Sequence, residues 1–159
     1  MKSDPHRDLR KHLANLLEKA EAHADARSTL TDFPTALRGK KPAGSPHTPW
    51  QLLEHMRLAQ WDILRFCIDE KHVSPDFPSG YWPGPATEAD EQTWEQTIDG
   101  FHSDLRQVGE LIESVSDLTA PIPHGQGQTL LREALLVADH NSYHLGALAL
   151  LKRLLTEMK

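Results

Sequence analysis

Hydrophobic residues recur at helical spacing in four long segments of this chain, and no stretch of the sequence alternates convincingly with the period of two expected for a strand. The first predicted helix runs from about Pro5 to Ala24, and its apolar positions are Leu9, Leu13, Leu16, Leu17 and Ala20. The second begins after Thr48 as N-cap, with Pro49 at the first helical position and Gln51 three residues after the cap, and it continues to about Glu70. These patterns predict an all-α fold.

The two remaining helices occupy the second half of the chain. The third is predicted to begin near Thr87 or Ala89 and to reach about Val115, with an inward face made of Trp94, Ile98, Phe101, Leu105, Val108, Leu111 and Ile112. The fourth is capped by Thr129 and runs to about Thr156. Four helices that each bury one apolar stripe predict a four-helix bundle.

The connections are too long for the short links of a simple up-down bundle. The segment "TDFPTALRGKKPAGSPH" joins the first two helices and contains one predicted short helical turn, Pro34 to Arg38. The segment "HVSPDFPSGYWPGPA" joins the second and third helices, and its roughly 15 residues reach about 50 Å when extended. The second helix is only about 35 Å long at about 1.5 Å per residue. We therefore expect this loop to cross the bundle and to leave the second and third helices parallel.

Composition and charge narrow the class of protein. A length of 159 residues fits one domain, residues 1–159, and a net charge of -6 argues against a nucleic-acid partner. The single cysteine, Cys67, cannot form an intrachain disulfide, and we interpret it as a small apolar filler and not as a nucleophile. No secretory segment follows Met1, so a cytoplasmic location is expected. Asp139 and His140 interrupt the apolar C-terminal stretch, which favours a buried helix over a membrane span.

Two histidines stand in the most apolar part of the chain. On a helical wheel His140 and His144 lie one turn apart on a stripe with three apolar residues, opposite a water-facing side; the stripe holds Val137, Leu148 and Leu151, and the opposite side holds Arg132, Asp139 and Arg153. Because the chain has ten histidines, such a pair also arises easily by chance. Buried imidazoles without partners are costly, and a divalent metal would satisfy one nitrogen on each ring. Hydrogen-bonded core histidines are the alternative interpretation.

A metal site needs a third ligand, and the second helix offers His55 at the edge of its inward face. That face consists of Leu52, Met56, Ala59, Ile63 and Phe66. Surface or capping roles are expected for the other seven histidines, His6, His12, His23, His47, His72, His102 and His124. Of these, His72 and His124 lie in loops near helix ends, where either could border the mouth of a site.

The stretch "HTPWQLLEHMRLAQWDILRF", followed about 85 residues after His55 by "DHNSYHLGALALLKRLL", resembles the DinB-like (DinB/YfiT) superfamily of metal-dependent proteins. The resemblance covers nearly the whole chain. It includes the acidic residue before the helix-2 histidine, Glu54–His55, and the H-x-x-x-H-x-G pattern formed by His140, His144 and Gly146. It implies a four-helix bundle of up-down-down-up order. It also implies a divalent ion, often nickel or zinc, held by His55, His140 and His144.

The resemblance carries a functional expectation as well. Similar proteins include transferases that use low-molecular-weight thiols such as bacillithiol or mycothiol, and a thiol-dependent isomerase. The implied function is a metal-dependent transferase acting on a small molecule. The alternatives are a metal-dependent hydrolase and a non-catalytic, stress-responsive metal-binding bundle. One position departs from the pattern, since many members carry a polar residue, often glutamine, where this chain has Ala147.

Four further side chains are candidates near the site. Metal-bound imidazoles usually donate their other N–H to a carboxylate or carbonyl, so Asp62 and Asn141 are considered for that role, although a surface or interhelix contact is the favoured interpretation. Tyr81 and Trp82 stand in the crossover loop. They either wall an apolar pocket over the ion or, as the favoured interpretation, pin the loop to the bundle.

The sequence also suggests a protein partner. Trp50 and Trp61 are placed by the helical wheel at the outer margin of the apolar face of the second helix. Excess apolar surface of that kind predicts a homodimer.

Overall fold

The computed structural model describes residues 4–19, 22–84 and 90–157. Within these ranges the chain forms α1 (Arg7–Glu18), α2 (Ala26–Leu30), α3 (Thr35–Arg38), α4 (Pro49–Ile68), α5 (Glu91–Ser114) and α6 (Leu130–Glu157), with a 3-10 turn at Ser79–Tyr81. The described residues contain no strand, only an isolated bridge between Pro121 and Thr129. The all-α prediction is confirmed.

Helix α4 begins where the sequence predicts. The hydroxyl of Thr48 accepts a hydrogen bond from the backbone N–H of Gln51 at 3.1 Å, and the Gln51 side chain accepts one from the N–H of Thr48 at 3.0 Å. Pro49 occupies the first turn, where its missing N–H has no intrahelical partner to lose. The helix ends at Ile68, close to the predicted Glu70.

Helix α1 is shorter than predicted. It ends at Glu18, and residues 22–25 lie outside any helix, so the predicted end at Ala24 is wrong. The helix does not continue through Asp25 because this residue has an extended backbone, and its carboxylate accepts the backbone N–H of Ser28 at 2.6 Å to start the separate helix α2. Ala20, predicted to face inward, lies outside the described residues. The predicted turn at 34–38 is confirmed as α3.

The last two long helices are also capped by side chains. The carboxylate of Asp90 accepts the N–H of Thr93 at 2.7 Å before α5, and the hydroxyl of Thr129 accepts the N–H of Arg132 at 3.2 Å before α6. The predicted start of α5 at Thr87 or Ala89 falls outside the described residues. Among the helices described, none has the length and apolar content that crossing a bilayer requires.

The four longer helices share one core. Helix α4 packs against both α5 and α6, and α1 packs against the same two helices. The most deeply buried side chains of this core include Leu53, Met56, Trp94, Phe101 and Leu148. Most of the predicted inward face of α5 is buried. On α4 the predicted inward residues Leu52, Met56 and Ala59 are buried, whereas Ile63 and Phe66 are only partly buried. The up-down-down-up order of the helices stays a prediction.

A chain of buried amides fixes α6 against α4 and α5. Gln60, on α4, is 1% exposed; it donates to the backbone carbonyl of Phe101 at 2.7 Å and accepts from Asn141 at 2.8 Å. Both bonds are buried, where an unmade hydrogen bond is costly, so they specify how the three helices pack. Asn141 directly follows His140 in the chain. The amide chain thus sets the height of the histidine pair on α6 relative to α4.

The placement of Trp50 corrects the reasoning behind the predicted dimer. Trp50 is 4% exposed and belongs to the core cluster with Leu53 and Trp94, not to the outer margin of α4. Trp61 is partly buried and packs edge-on against His72. Neither indole supplies the exposed apolar surface that was expected. The homodimer itself stays a prediction.

Candidate metal centre

The structure brings His55 from α4 together with His140 and His144 from α6. One potential ligand nitrogen from each ring lies within 4.8 Å of the others. The centroids of the three rings are 4.5–4.9 Å apart in pairs. All three side chains are partly buried. The cluster could hold a metal ion, and the assignment of these three residues as its ligands stays a prediction.

Helical spacing places the pair on α6 at this point. His140 and His144 are four residues apart, so both rings project from one face about one turn apart. Val137 and Leu148, on the same side of the helix, are 1% and 0% exposed, which confirms that the stripe faces the core. On α4, which faces this side of α6, Met56 and Ala59 are buried in the core beside His55.

A backbone carbonyl fixes the protonation state of His55. Its Nδ1 lies 2.8 Å from the carbonyl oxygen of Tyr81. A carbonyl oxygen only accepts, so Nδ1 carries the hydrogen, and in the neutral ring Nε2 keeps its lone pair. This is the arrangement in which a metal-binding histidine donates its other nitrogen to a carbonyl.

The spacing of the nitrogens fits one shared ion. The Nε2 atoms of His55 and His140 lie 3.1 Å apart. Two nitrogens bound to one ion at about 2.1 Å each are separated by about 3.0–3.4 Å for bond angles between 90° and tetrahedral. In addition, Nδ1 of His144 is buried and has no hydrogen-bond partner among the described residues. The donor set therefore fits a divalent metal.

Burial keeps all three rings uncharged. It lowers the pKa of His140 to about 4, with a further contribution from the neighbouring His55. It also lowers the pKa of His144 to about 4, aided by His140, His55 and His47. The pKa of His55 is lowered by burial and partly restored by its hydrogen bond to the Tyr81 carbonyl. At neutral pH each ring can therefore offer a lone pair, which metal binding requires.

The loop that follows α4 covers one face of the cluster. The indole of Trp82 stacks on the ring of His55 with centroids 4.0 Å apart and planes 3° from parallel. On its other face the same indole stacks on His47, also at 4.0 Å, with planes 14° from parallel. The expectation that His47 has only a surface or capping role is wrong. Its position immediately before the N-cap of α4 is the sequence signal that could have placed it at this end of the helix.

Tyr81 and Trp82 divide between the two roles considered for them. Trp82 walls the site, whereas Tyr81 pins the loop. The Tyr81 hydroxyl donates to one carboxylate oxygen of Asp62 at 2.7 Å, and His72 lies 2.7 Å from the other. Asp62 is only 9% exposed, so of the surface and interhelix roles favoured for it, the surface role is wrong. Among the contacts of the described residues, Asp62 is connected to His55 only through Tyr81, which bonds to both. Burial and this carboxylate raise the pKa of the Tyr81 hydroxyl to about 12.

The remaining histidines lie away from the cluster. Nε2 of His124 lies 2.6 Å from the carbonyl oxygen of Phe66, near the end of α4, in keeping with the predicted capping role. His6 pairs with Asp117. The others are His12 and His23, which are exposed, and His102, which is partly buried. Asn141 is an interhelix contact, as the favoured interpretation had it.

The thiol of Cys67 is not prepared for chemistry. Cys67 packs against the apolar cluster that contains Leu13 and Leu64. Burial raises the pKa of its thiol to about 12, with a further contribution from Glu133. A thiol with so high a pKa is almost entirely protonated at neutral pH and is a poor nucleophile. The interpretation of Cys67 as a filler is supported.

An apolar cleft opens beside the cluster. Its volume is about 530 Å³, and it lies between the loop at residues 42–47 and one face of α6. His144 and Trp82 both form part of its wall, and so does Ala147, the position that departs from the family pattern. A small molecule in this cleft would contact a ring of the histidine cluster directly.

Comparison with known protein families identifies the family of the chain. The sequence model of the DinB superfamily matches residues 8–148. This span contains all but the first residue of α1, the whole of α4 and α5, most of α6 and all three clustered histidines. No curated protein and no solved structure gives a significant match. Since the match extends over nearly the whole chain, the protein belongs to the DinB superfamily.

Proposed function

We propose that this protein is a metal-dependent transferase in which His55, His140 and His144 bind one divalent ion, nickel or zinc, and a low-molecular-weight thiol attacks an electrophilic small molecule beside it. The observation that carries the proposal is the position of His144. Its ring belongs to the three-histidine cluster and also lines the apolar cleft. The cluster therefore has a side that a small molecule can reach.

A set of three histidine ligands suits a catalytic ion better than a purely structural one. His55, His140 and His144, as three neutral imidazoles, would leave a divalent ion its positive charge, which would lower the pKa of a thiol or water bound beside it. The protein holds His55 in the required tautomer through the Tyr81 carbonyl. Trp82 covers the face of His55 and excludes water from that side. The cleft delivers the electrophile to the His144 side.

The proposed reaction is a simple displacement or addition. A carbon–sulfur bond forms between the thiol and the electrophile. In a displacement, the bond to the leaving group breaks, the leaving group takes its electron pair, and the thiol proton passes to the leaving group or to solvent. In an addition, that proton ends on the product. No oxidant or reductant is needed.

Metal content tests the first half of the proposal. Protein purified without an affinity tag should contain about one equivalent of a divalent metal, and His55→Ala, His140→Ala and His144→Ala should each lose most of it. His12→Ala is the matched control, because His12 is exposed on α1. Wild-type protein without bound metal that also fails to take up nickel or zinc would refute the site.

Turnover tests the second half. Metal-loaded protein should accelerate the reaction of a thiol with an aryl halide or an epoxide, and the three alanine variants should not. Hydrolysis of esters or amides without a thiol would instead identify a hydrolase. A full complement of metal with no turnover of any thiol or ester would mean that the ion has a structural role.

A further inference from the structure

The apolar cleft runs along α6 away from the histidine cluster. Its lining on this helix includes His144, Ala147, Leu150, Leu151 and Leu154. These residues follow each other at helical spacing on one face of α6. Leu154 lies ten positions after His144 on the helix, which corresponds to about 15 Å. The cleft is therefore an elongated groove with the candidate metal centre at one end.

The groove carries no charged side chain. Among its lining residues, all of which the structure describes, there is no lysine, arginine, aspartate or glutamate. Its polar side chains are Ser45, His47, Tyr143 and His144. His47 is held neutral at physiological pH because burial lowers its pKa. A charged substrate would lose its hydration in such a groove without gaining a partner of opposite charge.

The loop at residues 42–47 gives the groove a second apolar wall. It contributes Pro42, Ala43 and Pro46, while Leu52 and Trp82 lie at the cluster end. Leu150 is 55% exposed and Leu154 is 41% exposed. Apolar side chains left open to water along a groove gain free energy when an apolar ligand covers them.

We propose that the electrophilic substrate has an uncharged apolar body, an alkyl chain or an aryl ring, that lies along α6 in this groove with its reactive atom at the His144 end. This inference rests on the proposed function. Three features of the groove indicate this substrate class: its length, its lack of charged side chains and its contact with the candidate metal centre. A substrate with a carboxylate on its body is excluded.

A series of alkyl hydroxamates on cobalt-loaded protein tests the inference. The hydroxamate head binds the ion, and the alkyl chain extends into the groove. From acetohydroxamate upward, the affinity measured by calorimetry should rise by up to about fourfold per added methylene. A hydroxamate of the same length with a terminal carboxylate should lose most of this gain. Affinity that does not change with chain length would overturn the inference.

Two matched variants localise the effect. Leu150→Asp places a charge on the groove wall and should lower the affinity of the octyl hydroxamate at least tenfold while leaving that of acetohydroxamate unchanged. Leu135→Asp is the control, because Leu135 is 47% exposed on the same helix and does not line the groove. Equal losses in both variants, or none in Leu150→Asp, would place the alkyl chain elsewhere and overturn the inference.

The same series separates this inference from the proposed function. Neutral alkyl amides on metal-free protein report on the groove alone, and their weaker binding should show the same dependence on chain length. If the dependence is present but no thiol is transferred, the proposed reaction is wrong and the groove assignment stands. If thiol transfer occurs but the dependence is absent from both series, the groove assignment is wrong and the reaction stands.

Discussion

Replacing Tyr81 by phenylalanine tests whether the loop that follows α4 orients a metal ligand. The Tyr81 hydroxyl donates to the buried carboxylate of Asp62, and the Tyr81 carbonyl accepts from Nδ1 of His55. Tyr81→Phe removes only the hydroxyl and keeps the ring and the carbonyl. The loop then depends on His72 for its remaining side-chain bond to Asp62.

The expected magnitudes follow from these contacts. A hydrogen bond to a charged acceptor contributes about 1.5–3 kcal/mol to stability. Tyr81 is only partly buried, so we expect the free energy of unfolding to fall by about 1.5 kcal/mol, the lower end of that range. Losing a partner that orients a metal ligand typically lowers metal affinity about 10–100-fold. Because the carbonyl that contacts His55 is still present, we expect a loss of about tenfold.

Two measurements check this prediction. Urea unfolding of the metal-free protein gives the change in stability, and titration with cobalt or nickel gives the change in metal affinity. Tyr143→Phe is the control, because Tyr143 is 75% exposed and its hydroxyl makes no hydrogen bond among the described residues. A Tyr81→Phe protein that is less stable yet binds metal as tightly as wild type would show that the loop does not orient His55. Unchanged stability would refute the importance of the Asp62 bond.

Three further predictions concern acid stability, loop geometry and the cysteine. The pKa values of His140 and His144 are lowered in the folded protein, so the unfolded chain takes up protons first as the pH falls. In urea unfolding curves, metal-free protein should therefore keep full stability above about pH 6.5 and lose it progressively toward about pH 4. Stability independent of pH in this window would contradict the burial of these rings. Gly80→Ala would place a methyl group 2.6 Å from Cβ of Pro75, so it should lower the melting temperature and weaken metal binding, and a variant indistinguishable from wild type would show that the loop yields freely. Cys67 should resist alkylation by iodoacetamide in the folded protein at pH 8 and react only in urea, whereas rapid labelling without denaturant would disprove its burial.

The parts of the fold that the sequence predicts are those set by local interactions. The beginning of α4 depends on Thr48, Pro49 and Gln51, which act on each other within one turn. The face of α6 that carries His140 and His144 depends only on helical periodicity. Local signals of this kind survive any arrangement of the rest of the chain, so the pattern is sufficient to predict them.

Helix α2 was not predicted, because the hydrophobic spacing of the first helix was given more weight than the N-cap residue Asp25. Asp25 is a residue type favoured at helix N-caps, but the apolar spacing of the first helix favoured one continuous helix to about Ala24. The extended backbone of Asp25 interrupts the helical pattern, and its carboxylate satisfies the N–H of Ser28, which has no intrahelical partner once α2 starts there.

The surroundings of His55 could not be predicted in the same way. His47, Asp62 and Trp82 meet this histidine or its partners only because a loop of irregular backbone returns to α4 after leaving it. Nothing in the spacing of these residues along the chain encodes that return. Composition suggested aromatic contacts in the loop without saying which ring would face the site.

The division between helices and loop has a consequence for how the site works. The two helices α4 and α6 supply the nitrogen donors. The loop supplies the carbonyl whose hydrogen bond sets the tautomer of His55, and it also supplies the indole that covers the ring of His55. Helix packing in this core is held by buried bonds such as those of Gln60, which do not involve the loop. Changes to the loop should therefore alter metal affinity and access while the bundle stays folded, whereas changes to the amide chain should unfold the bundle and lose the metal with it. In this protein, the loop mainly tunes the centre and contributes modestly to stability, whereas the buried amides mainly hold the helices together.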